Sequence, residues 1–272
     1  MKVKKSVFID KNRKILLDDN ADESLQNTND LEYMTSSGII EVNPSRWKDA
    51  QKYERTSRMS EDGLKAKEDR NKFHEINFDN YLNIKGRKFK NVIEIGCGPF
   101  TNIVRILNHV SCEKVTLLDP LIADYLKHPH CAYKNNMIKY GKFWSMSKKE
   151  VTTISEPIED FLPNETYDLV VLINVLEHCF SLEKVLNKIL SLSSKNGVLI
   201  FHDKLIPNDD LKEIVTRIYD AGHPLRISQE EIQKFLNLNY NELFSRNVEI
   251  PIKDIYTFNS VYFIGELRPT RA

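Results

Sequence analysis

The sequence predicts an α/β fold in which a mostly parallel sheet of seven strands has helices on both faces. From residue 90 onward, short apolar runs alternate with amphipathic stretches, a pattern typical of parallel strands that are buried on both sides. The two apolar segments of the tail, at residues 243–250 and 260–267, add a C-terminal antiparallel hairpin. A length of 272 residues is enough to bury the core of such a domain without disulfide or metal support.

The part of the chain before this sheet is more polar and has a different organisation. Residues 7–9 and 15–17 are short apolar groups that predict a small hairpin, and residues 20–30 have the composition of a solvated loop. Residues 47–82 combine many charged side chains with spaced apolar ones, which predicts helices covering one edge of the domain. We therefore divide the chain into an N-terminal extension, residues 1–45, and a main domain, residues 46–272.

The elements of the main domain follow from apolar spacing and helix-end signals. Helical spacing at residues 182–190 ends at Asn196 and Gly197, a left-handed stop signal, and residues 209–219 predict another helix. Ser228, with Glu231 three residues later, forms a capping box that opens a further helix. An insertion at about residues 204–227 is expected on the acceptor side of the domain. The other five strands are predicted at residues 92–95, 114–118, 151–154, 169–173 and 197–201.

Composition limits the classes of partner. The formal net charge is zero and the pI is about 7.1, so the long-range positive field of a nucleic-acid-binding protein is missing. Mean hydropathy is −0.44, and no stretch of about 18 uninterrupted apolar residues is found. The first ten residues are not expected to act as a signal peptide, because their apolar run is only three residues long. The four cysteines have no zinc-type spacing, which favours a reducing, cytoplasmic location. We expect a small-molecule substrate, no membrane partner, and a monomer or homodimer.

A glycine-rich turn carries the strongest functional signal. Gly96 and Gly98 lie between a predicted strand and the apolar residues 103–107 that predict a helix. Glycines there allow a tight turn and close approach to a ligand, while the helix N-terminus offers free N–H groups. Asp119 ends the next strand, 21 residues after Gly98, close to the spacing at which an acid binds ribose hydroxyls. The pattern predicts a nucleotide-like ligand.

Two ligand classes fit this turn. A dinucleotide site would have a third glycine where Thr101 stands, and it does not need the acid Glu94 two residues before Gly96. Residues 94–98, 167–178 and 192–201 resemble motifs of the class I S-adenosylmethionine-dependent methyltransferases, and the resemblance covers about residues 45–267. It implies a Rossmann-like fold, with S-adenosylmethionine as the cofactor. Among these enzymes the pattern is nearest to bacterial ones that act on small molecules and surface-glycan precursors.

The resemblance also implies roles for individual residues. Glu94, Gly96 and Gly98 would line the methionine end of the cofactor. Asp119, next to Leu118, would bind the ribose. The remaining implied contacts are Asn174 at the methionine moiety, Glu156 on the adenine side, and Gln51 and Tyr53 on a helix that closes over the cofactor.

Acceptor activation is assigned to histidines near the carboxyl ends of the fourth and fifth strands. A hydroxyl acceptor must lose its proton, and the candidate bases are, in order, His202, His223 and His178. Lys204 and Arg226 are candidates for binding an anionic substrate. Asp203, Asp209 and Asp210 are close in sequence, but we expect no metal, because a helix start explains the last two of these acids as well.

The sequence therefore predicts a cytoplasmic methyltransferase that acts on a small molecule, at oxygen. The resemblance points to a sugar, a nucleotide-linked intermediate, or a phosphate- or phosphoramidate-type precursor of surface polysaccharide. Two alternatives stay open at this point: a nicotinamide-dependent oxidoreductase, and a non-catalytic partner protein that binds S-adenosylmethionine.

Overall fold

A computed structural model describes residues 7–9, 15–17, 32–68, 72–78, 81–142, 145–217, 219–252 and 256–269. Within these ranges the helices are α1 (Pro44–Arg58), α2 (Glu61–Lys65), α3 (Lys72–Phe78), α4 (Ile103–Ile106), α5 (Ile122–Tyr125), α6 (Leu182–Leu192), α7 (Asn208–Arg217) and α8 (Gln229–Asn239). Short 3₁₀ helices cover Leu82–Ile84, Lys134–Asn136 and Leu176–His178. The strands are β1 (Val7–Ile9), β2 (Ile15–Leu17), β3 (Glu32–Thr35), β4 (Gly38–Ile39), β5 (Lys88–Ile95), β6 (Ser111–Leu118), β7 (Met137–Tyr140), β8 (Ser147–Glu150), β9 (Thr152–Ile154), β10 (Tyr167–Ile173), β11 (Ser193–Leu205), β12 (Arg226–Ile227), β13 (Tyr240–Ile252) and β14 (Tyr256–Leu267).

The main sheet has seven strands in the order β13-β14-β11-β10-β5-β6-β9. The five strands from β11 to β9 pair in parallel, whereas β14 is antiparallel to both β11 and β13. This confirms the predicted fold class, including the C-terminal antiparallel hairpin. The chain order reverses direction between β5 and β10, so the crevice at their carboxyl ends is where an open α/β sheet binds its ligand.

Apolar side chains from the central strands enter two separate cores. Ile93 and Ile95 of β5 belong to one buried cluster, whereas Val92 of the same strand belongs to the other. Strand β10 divides in the same way, with Val170 in the first cluster and Val171 in the second. Alternate residues thus cover opposite faces of the sheet, which explains the continuous apolar runs in the sequence.

Local signals at helix ends are only partly as predicted. Ser228 caps α8, because its Oγ accepts a hydrogen bond from the Glu231 N–H at 3.1 Å. In a capping box the Glu231 carboxylate would also accept from the Ser228 backbone N–H. This part of the prediction was wrong, because the carboxylate accepts from the Ser37 hydroxyl at 2.9 Å. Asn196 is left-handed with φ +62°, but α6 has already ended at Leu192. Its turn lies within β11 rather than at the helix end.

A second sheet joins the N-terminal extension to the insertion. The predicted hairpin of β1 and β2 is confirmed, and it forms part of a five-stranded sheet in the order β12-β4-β3-β1-β2. Ile39 of β4 pairs with Arg226 of β12 in the insertion. Gly38 has φ +102°, and a Cβ at this position would lie 1.8 Å from the Arg226 carbonyl oxygen. Only glycine permits this contact, which the sequence did not predict.

Two further features complete the architecture. Strands β7 and β8 form a separate antiparallel pair that the sequence analysis did not predict. None of the described helices has the length and apolar content needed to cross a membrane. The division of the chain at residue 45 stays a prediction.

Candidate cofactor and acceptor site

A cleft lies at the carboxyl ends of β5, β6 and β10, with about 800 Å³ of empty space that includes open solvent at its mouth. Helix α1 covers one side of it, and the 3₁₀ helix Leu176–His178 closes one end. The lining includes seven of the nine predicted cofactor residues: Gln51, Gly96, Gly98, Leu118, Asp119, Glu156 and Asn174. The predicted nucleotide-like site is therefore one continuous surface.

The glycine-rich turn forms the floor of the cleft. Both Gly96 and Gly98 have positive φ, +64° and +53°. A Cβ on Gly96 would lie 2.5 Å from the Val175 side chain, so this glycine is needed for packing as well as for its backbone conformation. A Cβ on Gly98 would have no described heavy atom within 4 Å. The open space above Gly98 is where a ligand can contact the backbone.

Asp119 lies beside this turn with both carboxylate oxygens directed by backbone N–H groups. Oδ2 accepts from Gly98 N at 3.1 Å, and Oδ1 accepts from Leu121 N at 2.8 Å. Burial raises the pKa of Asp119 to about 6, although these two hydrogen bonds favour the ionised form. Each oxygen retains a second lone pair, so the carboxylate is able to accept two hydroxyl groups of a ribose.

Glu94 is placed differently from the prediction. It is fully buried, lies outside the lining of the cleft, and bonds to the loop before α4. Its carboxylate accepts from the Thr101 hydroxyl, from the Asn102 backbone and side-chain amides at 2.8 and 2.9 Å, and from Ile103 N at 3.3 Å. Burial raises its pKa to about 7. This geometry gives Glu94 the position of a group that holds the glycine-rich turn against α4, not of a ligand contact.

Asn174 ends β10 in a left-handed conformation with φ +60°. Its backbone N–H donates to the His202 carbonyl oxygen at 2.7 Å. The side-chain Oδ1 is buried and has no hydrogen-bond partner among the described residues. A buried acceptor without a donor is costly, so this oxygen fits a donor supplied by a bound ligand, such as a cofactor amino group.

One face of helix α1 lines the cleft. Trp47 Nε1 and Gln51 Nε2 both donate to the His178 carbonyl oxygen, at 3.1 and 3.2 Å. Arg58, two turns after Gln51, also lines the cleft, where its Nε donates to Glu54 at 2.8 Å. Tyr53 lies on the other side of the helix, 55% exposed, and is outside the cleft lining. The structure therefore brings Gln51, but not Tyr53, to the site.

Two further predicted contacts, Leu118 and Glu156, line the cleft. Leu118 is buried in its wall, and Glu156 is exposed at its rim in the segment after β9. Ile158, which the sequence analysis did not select, is buried in the wall next to Glu156. An apolar wall with an acid at its rim matches the surface that an adenine ring needs.

The three candidate bases occupy three different environments. His178 lines the cleft, and its Nδ1 lies 3.2 Å from the Gly222 carbonyl oxygen. His223 lies behind His178, with the two ring centroids 4.5 Å apart. His202 is buried in β11 outside the cleft lining, and its Nε2 is 2.6 Å from the Ser260 hydroxyl. Of the three candidates only His178 lines the cleft, and the first-ranked one, His202, does not.

A charged network surrounds His223. Its Nδ1 is 2.8 Å from Asp220 Oδ2, and its Nε2 is 3.6 Å from Glu177 Oε1. Burial disfavours the charged ring, but the hydrogen bond to Asp220 and the charge of Glu177 raise the pKa of His223 above its usual value. For His178, burial and the adjacent His223 lower the pKa. At neutral pH the His178 ring, which lines the cleft, is therefore uncharged.

The two predicted substrate cations belong to the same network. Lys204 Nζ lies 3.5 Å from Glu177 Oε1, and Arg226 Nη2 lies 3.2 Å from Asp220 Oδ2. Both residues line a small second cavity of about 250 Å³ next to the cofactor cleft. Each cation already has a carboxylate partner, so an anionic substrate would have to compete for it.

Sequence reasoning missed several residues of the site. Trp47 and Arg58 line the cleft but are not among the predicted contacts. Arg58 was missed because a charged residue on a polar helix gives no signal of its own. Asp203 holds the end of β10, since its Oδ2 accepts from Val175 N and Leu176 N at 3.1 and 2.8 Å. Further residues of the lining were not predicted: Glu54, Cys97, Asn102, Tyr125, Glu159, Ile173 and Cys179.

Comparisons with known proteins found a matching family profile and similar solved structures. A protein-family profile described as "Methyltransferase domain" matches residues 66–245. The N-methyltransferase NodS from Bradyrhizobium japonicum WM9, solved with S-adenosyl-l-homocysteine, is 14% identical, with 67% of this chain and 80% of that chain covered and a TM-score of 0.47. The 1,6-didemethyltoxoflavin-N1-methyltransferase of Burkholderia thailandensis is 12% identical, with 88% and 96% covered and a TM-score of 0.49. No curated protein matches the chain significantly.

The parallel sheet, the glycine-rich turn and the ribose-type acid together define a nucleotide-binding α/β enzyme. The family profile spans most of that sheet, and the chain belongs to the methyltransferase-domain family. It is an S-adenosylmethionine-dependent methyltransferase, as predicted. The oxidoreductase alternative is thereby set aside.

Proposed function

We propose that the protein transfers the methyl group of S-adenosylmethionine to an oxygen atom of a small molecule. The observation that carries this proposal is the position of His178 in the cleft, at the end of β10 beside Asn174. A carbonyl oxygen only accepts hydrogen bonds, so His178 Nδ1 donates to Gly222 and its Nε2 carries the lone pair when the ring is neutral. An acceptor hydroxyl entering at this end meets a histidine cluster suited to its deprotonation.

The cofactor contacts are proposed from the donors and acceptors in the cleft. Asp119 would accept from both ribose hydroxyls, and Asn174 Oδ1 would accept from the amino group of the methionine moiety. Arg58 offers its guanidinium to the cofactor carboxylate. Ile158 and Glu156 would contact the adenine ring, above the open backbone of Gly98. When bound, the cofactor supplies an electrophilic methyl group, so the chain has to align the acceptor and remove its proton.

The acceptor class is proposed to be a sugar, a nucleotide-linked intermediate or a phosphate- or phosphoramidate-type precursor of surface polysaccharide, methylated in the cytoplasm. The motif resemblance supports this class, together with the cations Lys204 and Arg226 near the acceptor end. Both cations are paired with carboxylates, so within this class a neutral sugar or a phosphoramidate-type compound with a single negative charge fits better than a nucleotide-linked one, which carries two or more negative charges.

Methyl transfer tests the proposal directly. The protein is incubated with S-adenosylmethionine carrying a labelled methyl group and with a panel of sugars, nucleotide sugars and phosphorylated sugars. Mass spectrometry then locates the label. We expect an O-methyl product from at least one of them. His178→Gln should reduce transfer by about 10²–10⁴-fold while the matched surface variant His130→Gln does not.

The results also discriminate within the proposal. Label found only on nitrogen would contradict O-methylation. If His178→Gln leaves methyl transfer unchanged, the acceptor does not bind at this end of the cleft.

A further inference from the structure

Three metal-ligating groups converge at the acceptor end of the cleft. Glu177, His178 and His223 each offer one ligand atom, and these atoms all lie within 4.8 Å of one another. We propose that they form a binding site for a divalent transition metal of the zinc type. The sequence analysis expected no metal, because it compared acids near one another in sequence, whereas this cluster joins a 3₁₀ helix to a loop about 45 residues later.

Both imidazole rings are oriented by a hydrogen bond at Nδ1. His178 Nδ1 donates to the Gly222 carbonyl oxygen at 3.2 Å, and His223 Nδ1 donates to the Asp220 carboxylate at 2.8 Å. In neutral rings this leaves both Nε2 atoms with a free lone pair for coordination. Histidine ligands of metals are held in the same way, with the other ring nitrogen on a carboxylate or a backbone carbonyl.

Asp220 is itself fixed, which makes it a rigid support for His223. Its Oδ1 accepts from the backbone N–H groups of Gly222 and His223, each at 3.2 Å. Its Oδ2 is also 3.2 Å from Arg226 Nη2. The loop that carries one ligand is thus held by the same acid that orients the ligand's ring.

The separations are compatible with coordination after a small movement. Metal–ligand bonds of about 2.0–2.1 Å put the ligand atoms of a tetrahedral site roughly 3.4 Å apart. His223 Nε2 and Glu177 Oε1 are already 3.6 Å apart, and the widest separation in the cluster is 4.8 Å at most. Two imidazoles and one carboxylate are the ligand set of catalytic zinc sites that keep a fourth position open.

Lys204 is the natural competitor of such an ion. Its ammonium lies 3.5 Å from the same Glu177 oxygen, where it neutralises the carboxylate when no metal is bound. The Lys204 side chain is about one-third exposed, so it is able to turn towards solvent when a stronger cation binds. If the cluster is a metal site, removing the Lys204 ammonium should therefore strengthen metal binding. A network of ion pairs that binds no metal would not show this effect.

The open coordination position would face the cleft beside His178. Given the proposed O-methylation, the ion would lower the pKa of an acceptor hydroxyl bound there. Because His178 Nε2 would then hold the ion, the proton would pass to water instead of to His178. The acceptor oxygen then forms the new bond to the methyl carbon as the carbon–sulfur bond breaks, which leaves neutral S-adenosylhomocysteine. Metal binding itself does not depend on that reaction.

Calorimetric titration of the tag-free, chelator-treated full chain with Zn²⁺, repeated with Co²⁺, tests the site. We expect one equivalent of tight binding that His223→Gln abolishes. Asp220→Asn should weaken it by about 10–100-fold, the usual effect of losing a group that orients a histidine ligand. Lys204→Met should strengthen it, and the exposed-histidine control His130→Gln should leave it unchanged. Thermal unfolding and S-adenosylhomocysteine binding of each variant report whether it is folded.

The absorption spectrum of the Co²⁺ complex identifies the ligands. Visible bands of a nitrogen- and oxygen-ligated Co²⁺ would support the site, whereas thiolate charge-transfer bands would place the metal on a cysteine and overturn the proposal. Absence of one-equivalent binding, or binding that His223→Gln does not change, would overturn it as well. Normal cofactor binding in the same protein would keep that failure separate from a failure of the proposed function.

Discussion

Replacing Asp119 by asparagine should weaken binding of S-adenosylhomocysteine by about one to two orders of magnitude. In the structure each carboxylate oxygen holds one backbone N–H and keeps one lone pair for a ribose hydroxyl. Asparagine keeps only one such oxygen, and it carries no charge. Hydrogen bonds to a charged group contribute about 1.5–3 kcal/mol each, so the loss of one corresponds to a roughly 10- to 150-fold weaker Kd.

The same substitution should remove a pH dependence. With a pKa of about 6, Asp119 is only about one-quarter ionised at pH ~5.5, so binding by the wild-type protein should weaken about fourfold between pH ~7.5 and ~5.5. The asparagine variant should bind equally at both values. The folding stability of the cofactor-free protein should depend on pH in the opposite direction. A raised carboxylate pKa favours the folded state below the unfolded pKa of about 3.9, and this contribution is lost as the pH rises through about 6.

Calorimetric titration at the two pH values measures both effects. Asp124→Asn is a matched control, because Asp124 is an acid of the same type that pairs with Arg55 and Lys127 outside the cleft lining. A less than about threefold loss of affinity in Asp119→Asn, at pH ~7.5, would refute the ribose contact. A pH dependence retained in that variant would show that another group titrates.

Three further substitutions test the turn, its support and the acceptor end. Gly98→Ala should cost about 1–2 kcal/mol of folding stability, because φ is +53°, and should reduce cofactor affinity further, because the methyl group enters the open ligand space. Glu94→Gln should lower the free energy of unfolding by about 1–3 kcal/mol, because a buried N–H donor near Asn102 loses its acceptor. His178→Gln should leave S-adenosylhomocysteine affinity within about threefold, because its backbone carbonyl still binds helix α1, while methyl transfer falls.

Chemical denaturation, calorimetry and the transfer assay provide these three readouts. Unchanged cofactor affinity in Gly98→Ala would place the ligand elsewhere. If Glu94→Gln lost cofactor affinity with full stability, Glu94 would be a direct contact rather than a support. Loss of cofactor binding in His178→Gln would mean that its ring holds the cofactor and not the acceptor.

The sequence analysis was successful where one segment contains the whole signal. Apolar runs identified the seven main strands, because such a run lies within the strand itself and needs no distant residue to produce its pattern. Gly96, Gly98 and Asp119 were found for the same reason: their backbone conformation or strand-end position is dictated within a short segment. The family motif then supplied the cofactor.

The tertiary structure decided which side chains meet. Glu94 and His202 have suitable chemistry and lie near strand ends, but their side chains are used by the α4 loop and by Ser260. Strands β4 and β12 are too short to show a period, and their pairing depends on the fit of Gly38 against the Arg226 carbonyl.

The cluster of Glu177, His178 and His223 was likewise beyond sequence reasoning. The amino-acid sequence by itself determined the strands, the glycine-rich turn and the position of Asp119, since those depend on neighbours in sequence. Whether a histidine faces a cleft, a serine or another histidine depends on how distant segments pack, and that is decided only when the whole chain folds.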